Sequence, residues 1–320
     1  SFFLFSLVQG LRIPRFDLLW VTSPPLTIAF SGLILAKLRC VPYVLDIRDL
    51  WPESVIQLDA LKSRAAILLL EWIESMAYRY AAFLTLAVPG FQERIPPKKY
   101  PKQHFCPLPN GVPESFINAP SESLPFSLHK VNQFNLLFSG NMGLAQGLNT
   151  LLDAAALLRE YDNIHFYFVG DGVERERLQE RAILEKLENV TFVGTQTRDA
   201  MPSIISAMSA CIVPLRDLPL FENALPSKMF EYAAREKALI VSIRGEAANW
   251  VKNYEAGLVI APENAEALKT AILELKNNPV RCQQLGKNGL ESVKSHFTRA
   301  GFVKAFDQHL QSNLPEFYSK

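Results

Sequence analysis

Short apolar runs without polar alternation recur along the whole chain. Between them lie longer stretches whose apolar residues fall three and four apart. Mixed Val, Ile, Leu and Phe occupy residues 17–21, 43–47, 83–87 and 104–107, then 135–139, 164–169, 190–193, 211–214, 239–242 and 258–260. A strand that is apolar on both faces has to be covered on both faces, which a parallel sheet between helices achieves. The intervening stretches read as helices over 27–39 and 61–80, then 147–161, 174–187, 202–208, 226–236, 247–256 and 265–277, with two more over 280–295 and 299–312. In the second of these, Leu61, Ala65, Leu68, Leu69, Trp72, Ile73 and Met76 share one face. The expected fold class is α/β.

The chain has 320 residues, 49% of them hydrophobic, which is material for two domains. The alternation breaks at 107–125, where Pro107, Pro109, Asn110-Gly111, Pro113, Pro120 and Pro125 give linker chemistry. The expected division is a first domain over 1–112, a second over 113–298, and a C-terminal helix over 299–320 that packs back on the first domain.

Several classes are excluded. A net charge of +1 argues against a dedicated nucleic-acid binder. The surplus is uneven, four positive in 1–110 against three negative in 111–320, so the two parts expect different partners. Cys40, Cys106, Cys211 and Cys282 are scattered without a CxxC, which fits a reducing compartment. The five histidines are equally dispersed and no HExxH occurs, so no metal site is expected. The longest apolar stretch, 26–36, is too short to span a membrane and is interrupted by Thr27, Ser31 and Gly32. Residues 1–8 lack the basic start of a signal peptide and read as the tail of a helix begun upstream, so a truncated first domain is expected.

In wound α/β sheets, ligands bind beyond the carboxyl ends of the strands, and the polar signals collect there. Ser139-Gly-Asn-Met-Gly143 follows one strand, where glycines let backbone amides approach a phosphate; a purely steric tight turn is the alternative. Neither GxGxxG nor a Gly-Lys-Ser/Thr follows, which disfavours nicotinamide dehydrogenases and Walker NTPases. In Leu225-Pro-Ser-Lys-Met-Phe-Glu-Tyr232, Pro226 and Ser227 start a helix and place Lys228 in its first turn, where the macrodipole disfavours a cation. A neighbouring anion would explain it. Lys228 and Glu231 share a face, suited to a diphosphate and a ribose diol, or to a plain ion pair. Asp46-Ile-Arg-Asp-Leu-Trp-Pro-Glu53 ends a buried strand with Asp46 and Arg48 on one side, for substrate or as a structural pair. Arg216-Asp217 supplies a further cation, and Gly170-Asp171-Gly172 reads as a tight turn. No DxD occurs, so a bound diphosphate would be neutralised by side chains and dipoles rather than a bridging metal.

Together these motifs resemble retaining GT-B glycosyltransferases of glycosyltransferase family 4, nearest its WbuB-like branch of O-antigen sugar transferases. Val21-Thr-Ser-Pro-Pro25, Leu45-Asp-Ile-Arg-Asp-Leu-Trp-Pro-Glu-Ser54, Pro109-Asn-Gly-Val112, Ser139 to Gly147, Phe168-Val-Gly-Asp-Gly172, Phe192-Val-Gly194 and Pro226-Ser-Lys-Met-Phe-Glu-Tyr232 carry the likeness along nearly the whole chain. The resemblance implies two Rossmann-like domains facing across a cleft, the first incomplete. The first would bind acceptor and the second a nucleotide-sugar. Glu231 matches the last glutamate of the family's E-x7-E motif and would hold the ribose hydroxyls, while the first position falls on Asn223, beside Glu222. The family's diphosphate cations after the first strand of the second domain are absent from 141–146, and Lys228 and Arg216 substitute.

The resulting expectation is a metal-independent hexosyl- or glycosyltransferase of bacterial surface polysaccharide (O-antigen, capsule or lipopolysaccharide), with a nucleotide-sugar, UDP-linked, as co-substrate and no other cofactor. Donor binding is assigned to Gly140, Asn141, Gly143, Arg216, Asn223, Ser227, Lys228 and Glu231, and acceptor-side chemistry to Asp49 and Arg48. The acceptor is a lipid-linked saccharide. The location is cytoplasmic, at the inner membrane face, with 2–8, Arg12, Arg15, Lys37, Arg39 and Lys98-Lys99-Lys102 meeting anionic lipid or, alternatively, 2–8 buried as an ordinary helix. The alternative function is a non-catalytic nucleotide-sugar-binding or regulatory protein on the same fold.

Overall fold

In the computed structural model the described residues are 2–57, 61–95, 105–128 and 133–315. The chain divides into two compact units, Ser1–Asn110 with Phe302–Lys320, and Gly111–Gly301. Among the described residues the architecture is α/β with two parallel sheets of four and six strands.

Unit 1 runs α1 (Phe2–Arg12), β1 (Leu19–Ser23), α2 (Leu26–Arg39), β2 (Tyr43–Ile47), α3 (Glu53–Gln57), α4 (Arg64–Tyr80), β3 (Phe83–Leu86), α5 (Phe91–Arg94) and β4 (Phe105–Pro107). Its strands lie in the order β1-β2-β3-β4, all parallel. The strand expected over 17–21 is displaced two residues along, because Leu19 pairs with Tyr43 and Ser23 with Ile47. Gly10 lets α1 settle against α2: a Cβ there would lie 2.3 Å from Leu35 Cδ2.

The apolar stripe foreseen on the 61–80 helix is split. Ile73, Ala77 and Tyr78 of α4 are buried, whereas Leu68, Leu69 and Trp72 face outward at 59%, 57% and 51% exposure. Phe2, Leu4, Phe5 and Val8 of α1 are also exposed, while Phe3 and Leu7 are half-buried and Gly10 is buried. Lys98, Lys99 and Lys102, like His104 at the start of the expected fourth strand, lie outside the described residues.

Unit 2 runs α6 (Glu114–Ile117), β5 (Phe134–Ser139), α7 (Asn149–Leu157), β6 (Ile164–Val169), α8 (Arg175–Leu184), β7 (Val190–Val193), α9 (Met201–Ser206), β8 (Ala210–Pro214), α10 (Ser227–Ala233), β9 (Ala238–Ser242), α11 (Glu246–Asn253), β10 (Gly257–Val259), α12 (Ala265–Asn277) and α13 (Pro279–His296). The sheet order is β10-β9-β8-β5-β6-β7, so the chain reverses direction across the sheet between β5 and β8. Alternate side chains build two cores: Leu136, Phe138, Phe166 and Phe168 on one face, Leu137, Tyr167 and Val169 on the other. This is why the strands carry no polar alternation.

Most of the proline-rich connection belongs to unit 2. Val112 bridges to Thr298, and Leu124, Phe126 and Leu128 pack on the second core. A last helix, α14 (Arg299–Asn313), follows; Phe306 stacks on Trp20 at 4.7 Å between ring centroids, and Leu310 and Leu314 join Val44, Phe83 and Cys106 in one cluster.

Two glycines allow the loops at the carboxyl ends of β5 and β6 to stack backbone on backbone. Gly170 has φ +131° and a Cβ there would lie 2.1 Å from Gly140 O; Gly172 has φ +153° with Met142 O at 2.5 Å. Gly170→Ala is expected to destabilise unit 2 by about 3 kcal/mol, read as a lowered urea midpoint, because both conformation and space forbid a side chain.

Candidate functional site

At the carboxyl edge of the unit 2 sheet, Pro226 stands before α10 with no side-chain cap, and Ser227 and Lys228 open the helix. Met229, Phe230, Tyr232 and Ala233 are buried, which fixes the opposite face, bearing Lys228 and Glu231, toward the strand ends. Tyr232 anchors this arrangement. Its hydroxyl accepts from the Ser139 amide at 2.8 Å and exchanges a hydrogen bond with Ser139 Oγ at 2.9 Å. The helix is thereby tied to the last residue of β5.

One turn before Tyr232, the Lys228 ammonium sits 4.2 Å from the Phe138 ring centroid and 3.5 Å from where a Cβ on Gly140 would be. Gly140 has φ +119°, so the bare backbone leaves room for that cation. Among the described residues, Lys228 makes neither a hydrogen bond nor an ion pair, although it is half-buried. Burial pushes its pKa down to about 8, with Glu231 opposing. Burial pushes the Glu231 carboxyl up, against Arg198, Lys228 and Arg299. Glu231 likewise has no hydrogen-bond partner among the described residues. A poorly hydrated cation and a poorly hydrated carboxyl therefore share one helix face, each with capacity for a polar ligand.

The amides of the 139–143 turn are arranged differently from the expectation. Gly140 N–H donates to Val169 O at 2.9 Å, Met142 N–H to Asp171 O at 2.7 Å, and Gly143 N–H to Gln146 Oε1 at 3.1 Å. The first two tie the stacked loops together, the third caps its own turn, and none of the three is free to meet a phosphate. Asn141 N–H has no acceptor among the described residues, and Asn141 is exposed.

Arg216 is exposed, lies against Gly147, and its Nε is 3.8 Å from Glu263 Oε1, so its charge is partly compensated. Asp217 is held by Arg244 through two 2.9 Å hydrogen bonds. Asn223 closes the 3-10 turn Pro219–Asn223, which is pressed against Gly245: at φ +71°, a Cβ there would lie 1.9 Å from Glu222 O.

In unit 1 the carboxyl ends carry a separate network. Thr22, Asp46 and Thr85 are neighbours across β1, β2 and β3. The Asp46 carboxylate, 3% exposed, accepts from Thr22 Oγ1 at 2.8 Å, Thr85 Oγ1 at 2.7 Å and Arg48 Nη1 at 3.3 Å. The Arg48 Nη2 also donates to Asn110 Oδ1. Asp49, half-exposed, has no hydrogen bond or ion pair from its carboxylate among the described residues. Strand alternation thus joins Asp46 and Arg48, as expected, while Asp49 stands apart.

Tyr232, Gln146 and Glu263 escaped the sequence reading. Tyr232 lies in the quoted motif but has the spacing of a core aromatic, and its hydroxyl target is 93 residues away.

Residues 121–292 match the family model of group 1 glycosyl transferases, and residues 3–111 match a glycosyl transferase 4-like domain. The chain belongs to the group 1 glycosyl transferases. It is 28% identical over 153 residues to the lipopolysaccharide core biosynthesis glycosyltransferase LpsD of Rhizobium meliloti, covering 47% of this chain and 42% of that protein. It is 24% identical over 210 residues to O-antigen chain mannosyltransferase C of Escherichia coli, covering 65% and 54%. The alignments thus span about half of each curated relative. The crystal structure of Anabaena HepE with UDP-glucose shares the fold, with TM-score 0.76 and 16% identity over 97% of this chain and 82% of that one.

The buried Lys228 has a measurable consequence. Its folded pKa of about 8 lies below the ordinary 10.5, so between these values the unfolded chain holds more protons and stability rises with pH; below about 8 the full cost of burying the charge is present. Lys228→Met is expected to stabilise unit 2 at pH 7 in urea unfolding, with the gain shrinking from pH 8 to pH 10.

Proposed function

We propose that this chain transfers a sugar from a nucleotide-sugar, UDP-linked, to a lipid-linked saccharide acceptor in bacterial surface polysaccharide synthesis, with retention at the anomeric carbon. The observation that carries the reading is the Lys228 ammonium, half-buried beside Gly140 without an acceptor among the described residues. A diphosphate leaving group supplies the missing anion, and its developing charge is stabilised most where water is excluded. Glu231, one turn further, takes the ribose hydroxyls as a carboxylate acceptor. Asn141 adds its free amide, and Ser227 its hydroxyl at the helix start. Arg216 serves as an outer cation shared with Glu263, and Asn223 faces the donor sugar where the family pattern has a glutamate. On the acceptor side, Asp46 holds Arg48 in place, and Asp49 contacts the acceptor hydroxyl. Family membership supports the reaction class, and the solved HepE complex with UDP-glucose supports the donor type.

The reading gives a sign to the pH dependence. Lys228 loses its proton above about 8, so UDP affinity measured by calorimetry is expected to fall as pH rises through 8 toward 9, and Lys228→Met to flatten that fall. Lys228→Ala is expected to lower donor turnover by about 10²–10³-fold. Turnover at the wild-type rate would remove the phosphate assignment, and UDP binding without any turnover would favour a binding protein on this fold.

We also propose contact with the inner face of the cytoplasmic membrane. Phe2, Phe5, Leu38, Leu68 and Trp72 are all more than half exposed on α1, α2 and α4. Arg12, Lys37 and Arg39 stand in the last turns of α1 and α2. Exposed apolar side chains together with cations at these helix ends suit anionic lipid. No described helix is long and apolar enough to cross a membrane. The expected result is co-sedimentation with phosphatidylglycerol-containing liposomes, weakened several-fold in Phe5→Ser/Leu68→Ser; protein left wholly in the supernatant would refute it.

A further inference from the structure

The unit 2 sheet has a second edge, which the donor site does not use. Lys228 and Gly140 lie at carboxyl ends of strands. Phe134 opens β5, Ser209 precedes β8 and Lys237 precedes β9, and all three line a cavity of about 710 Å³ at the amino ends. Its wall carries three cations, Arg235, Lys237 and Lys276, and one acid, Glu236, over an apolar part that includes Ile117, Met208 and Leu275.

In a parallel α/β unit, helix C-termini collect at this edge, and cations commonly serve their open carbonyls. Arg235 does so. Its Nη1 donates to the carbonyls of Phe116, Ile117 and Ala119 at 3.3, 2.9 and 3.0 Å, and its Nε to Ser206 Oγ at 2.9 Å. Lys237 does not: among the described residues its ammonium, half-buried, has neither a hydrogen bond nor an ion pair. Lys276 has only the Tyr161 ring, 6.0 Å from its ammonium. Burial pulls the Lys237 pKa below its ordinary value, opposed by Cys211, Cys282 and Glu236. The cation is therefore held in a poorly hydrated place, with neither a hydrogen bond nor an ion pair among the described residues to offset the cost. Pro279, Cys282 and Gln283, in the first turns of α13, line the same cavity, so the nearby helix adds positive potential rather than carbonyls.

We propose that this cavity is a second ligand site, for a small phosphorylated sugar whose phosphate is taken by Lys237 and Lys276 and whose carbon skeleton lies on Ile117, Met208 and Leu275. The volume exceeds that of a bare phosphate and falls within the usual ~300–1,000 Å³ of small-molecule sites. Two ammonium groups that form no ion pair among the described residues match one phosphate dianion. This site stands independently of the donor reading, because it shares no residue with it.

The test is calorimetry on the full chain with ribose 5-phosphate, inorganic phosphate and uncharged ribose. Ribose 5-phosphate should bind saturably with a Kd on the order of 1 mM or tighter, inorganic phosphate more weakly, and ribose without measurable heat. Lys237→Met should weaken ribose 5-phosphate at least tenfold and leave UDP affinity unchanged. Lys228→Ala should leave ribose 5-phosphate affinity unchanged. A second measurement covers poor folding of the variant: in wild-type protein carrying ¹³C-methylated lysines, the Lys237 titration should move up by about one pH unit or more when ribose 5-phosphate is added. Absence of saturable binding up to about 10 mM overturns the proposal. So does binding that Lys228→Ala abolishes and Lys237→Met spares, which would place the ligand at the donor site.

Discussion

The hydroxyl of Tyr232 fixes the site more than any other single group. Fully buried, it meets both the amide and the side chain of Ser139, and so welds α10 to the last residue of β5. Everything of chemical interest at that edge follows from the weld. Lys228 stands one turn before Tyr232, and Glu231 is its neighbour in sequence, so the position of one hydroxyl sets where both charges point. Leaving a buried amide such as that of Ser139 unpaired costs about 1–3 kcal/mol, which gives the link its rigidity.

Against that rigid frame, the charges are poorly satisfied. Lys228 rests on an aromatic face and a bare glycine backbone, and Glu231 is pushed toward its neutral form by burial. A fold selected for stability alone would replace them, since unpaired charges out of water are costly. Their retention beside a strand end fits a site organised for a ligand that carries both an anion and hydroxyls. Unit 1 shows the contrasting solution. Its buried carboxylate, Asp46, receives two threonine hydroxyls and an arginine, and so serves as scaffold for Arg48.

The same distinction separates the amides of the glycine turn from the role expected of them. Glycines at 140, 143, 170 and 172 suggested a phosphate cradle. The conformations of Gly140, Gly170 and Gly172 instead let two loops stack, the amides of Gly140 and Met142 hold that stack together, and the Gly143 amide is taken by Gln146 of its own turn. A glycine in a strand-to-helix turn reports that backbone comes close; it does not report whether the approaching group is a ligand or another loop.

Pattern alone determined much. The buried-on-both-faces strands, the α/β class and the helix start at Pro226-Ser227 all follow from local preferences and periodicity, which act between residues close in sequence. That reasoning also put Lys228 and Glu231 on one helix face and Asp46 beside Arg48. Three-dimensional packing decided what each group meets. It turned Leu68, Leu69 and Trp72 outward from a stripe that looked like core, gave Arg216 to Glu263, and filled the Gly143 amide with Gln146. It brought Tyr232 to Ser139 and Arg235 to the carbonyls of the connecting segment, contacts across 93 and more than 110 residues. Such partners are chosen by which surfaces the helices and sheet bury together, and no spacing along the chain encodes that choice.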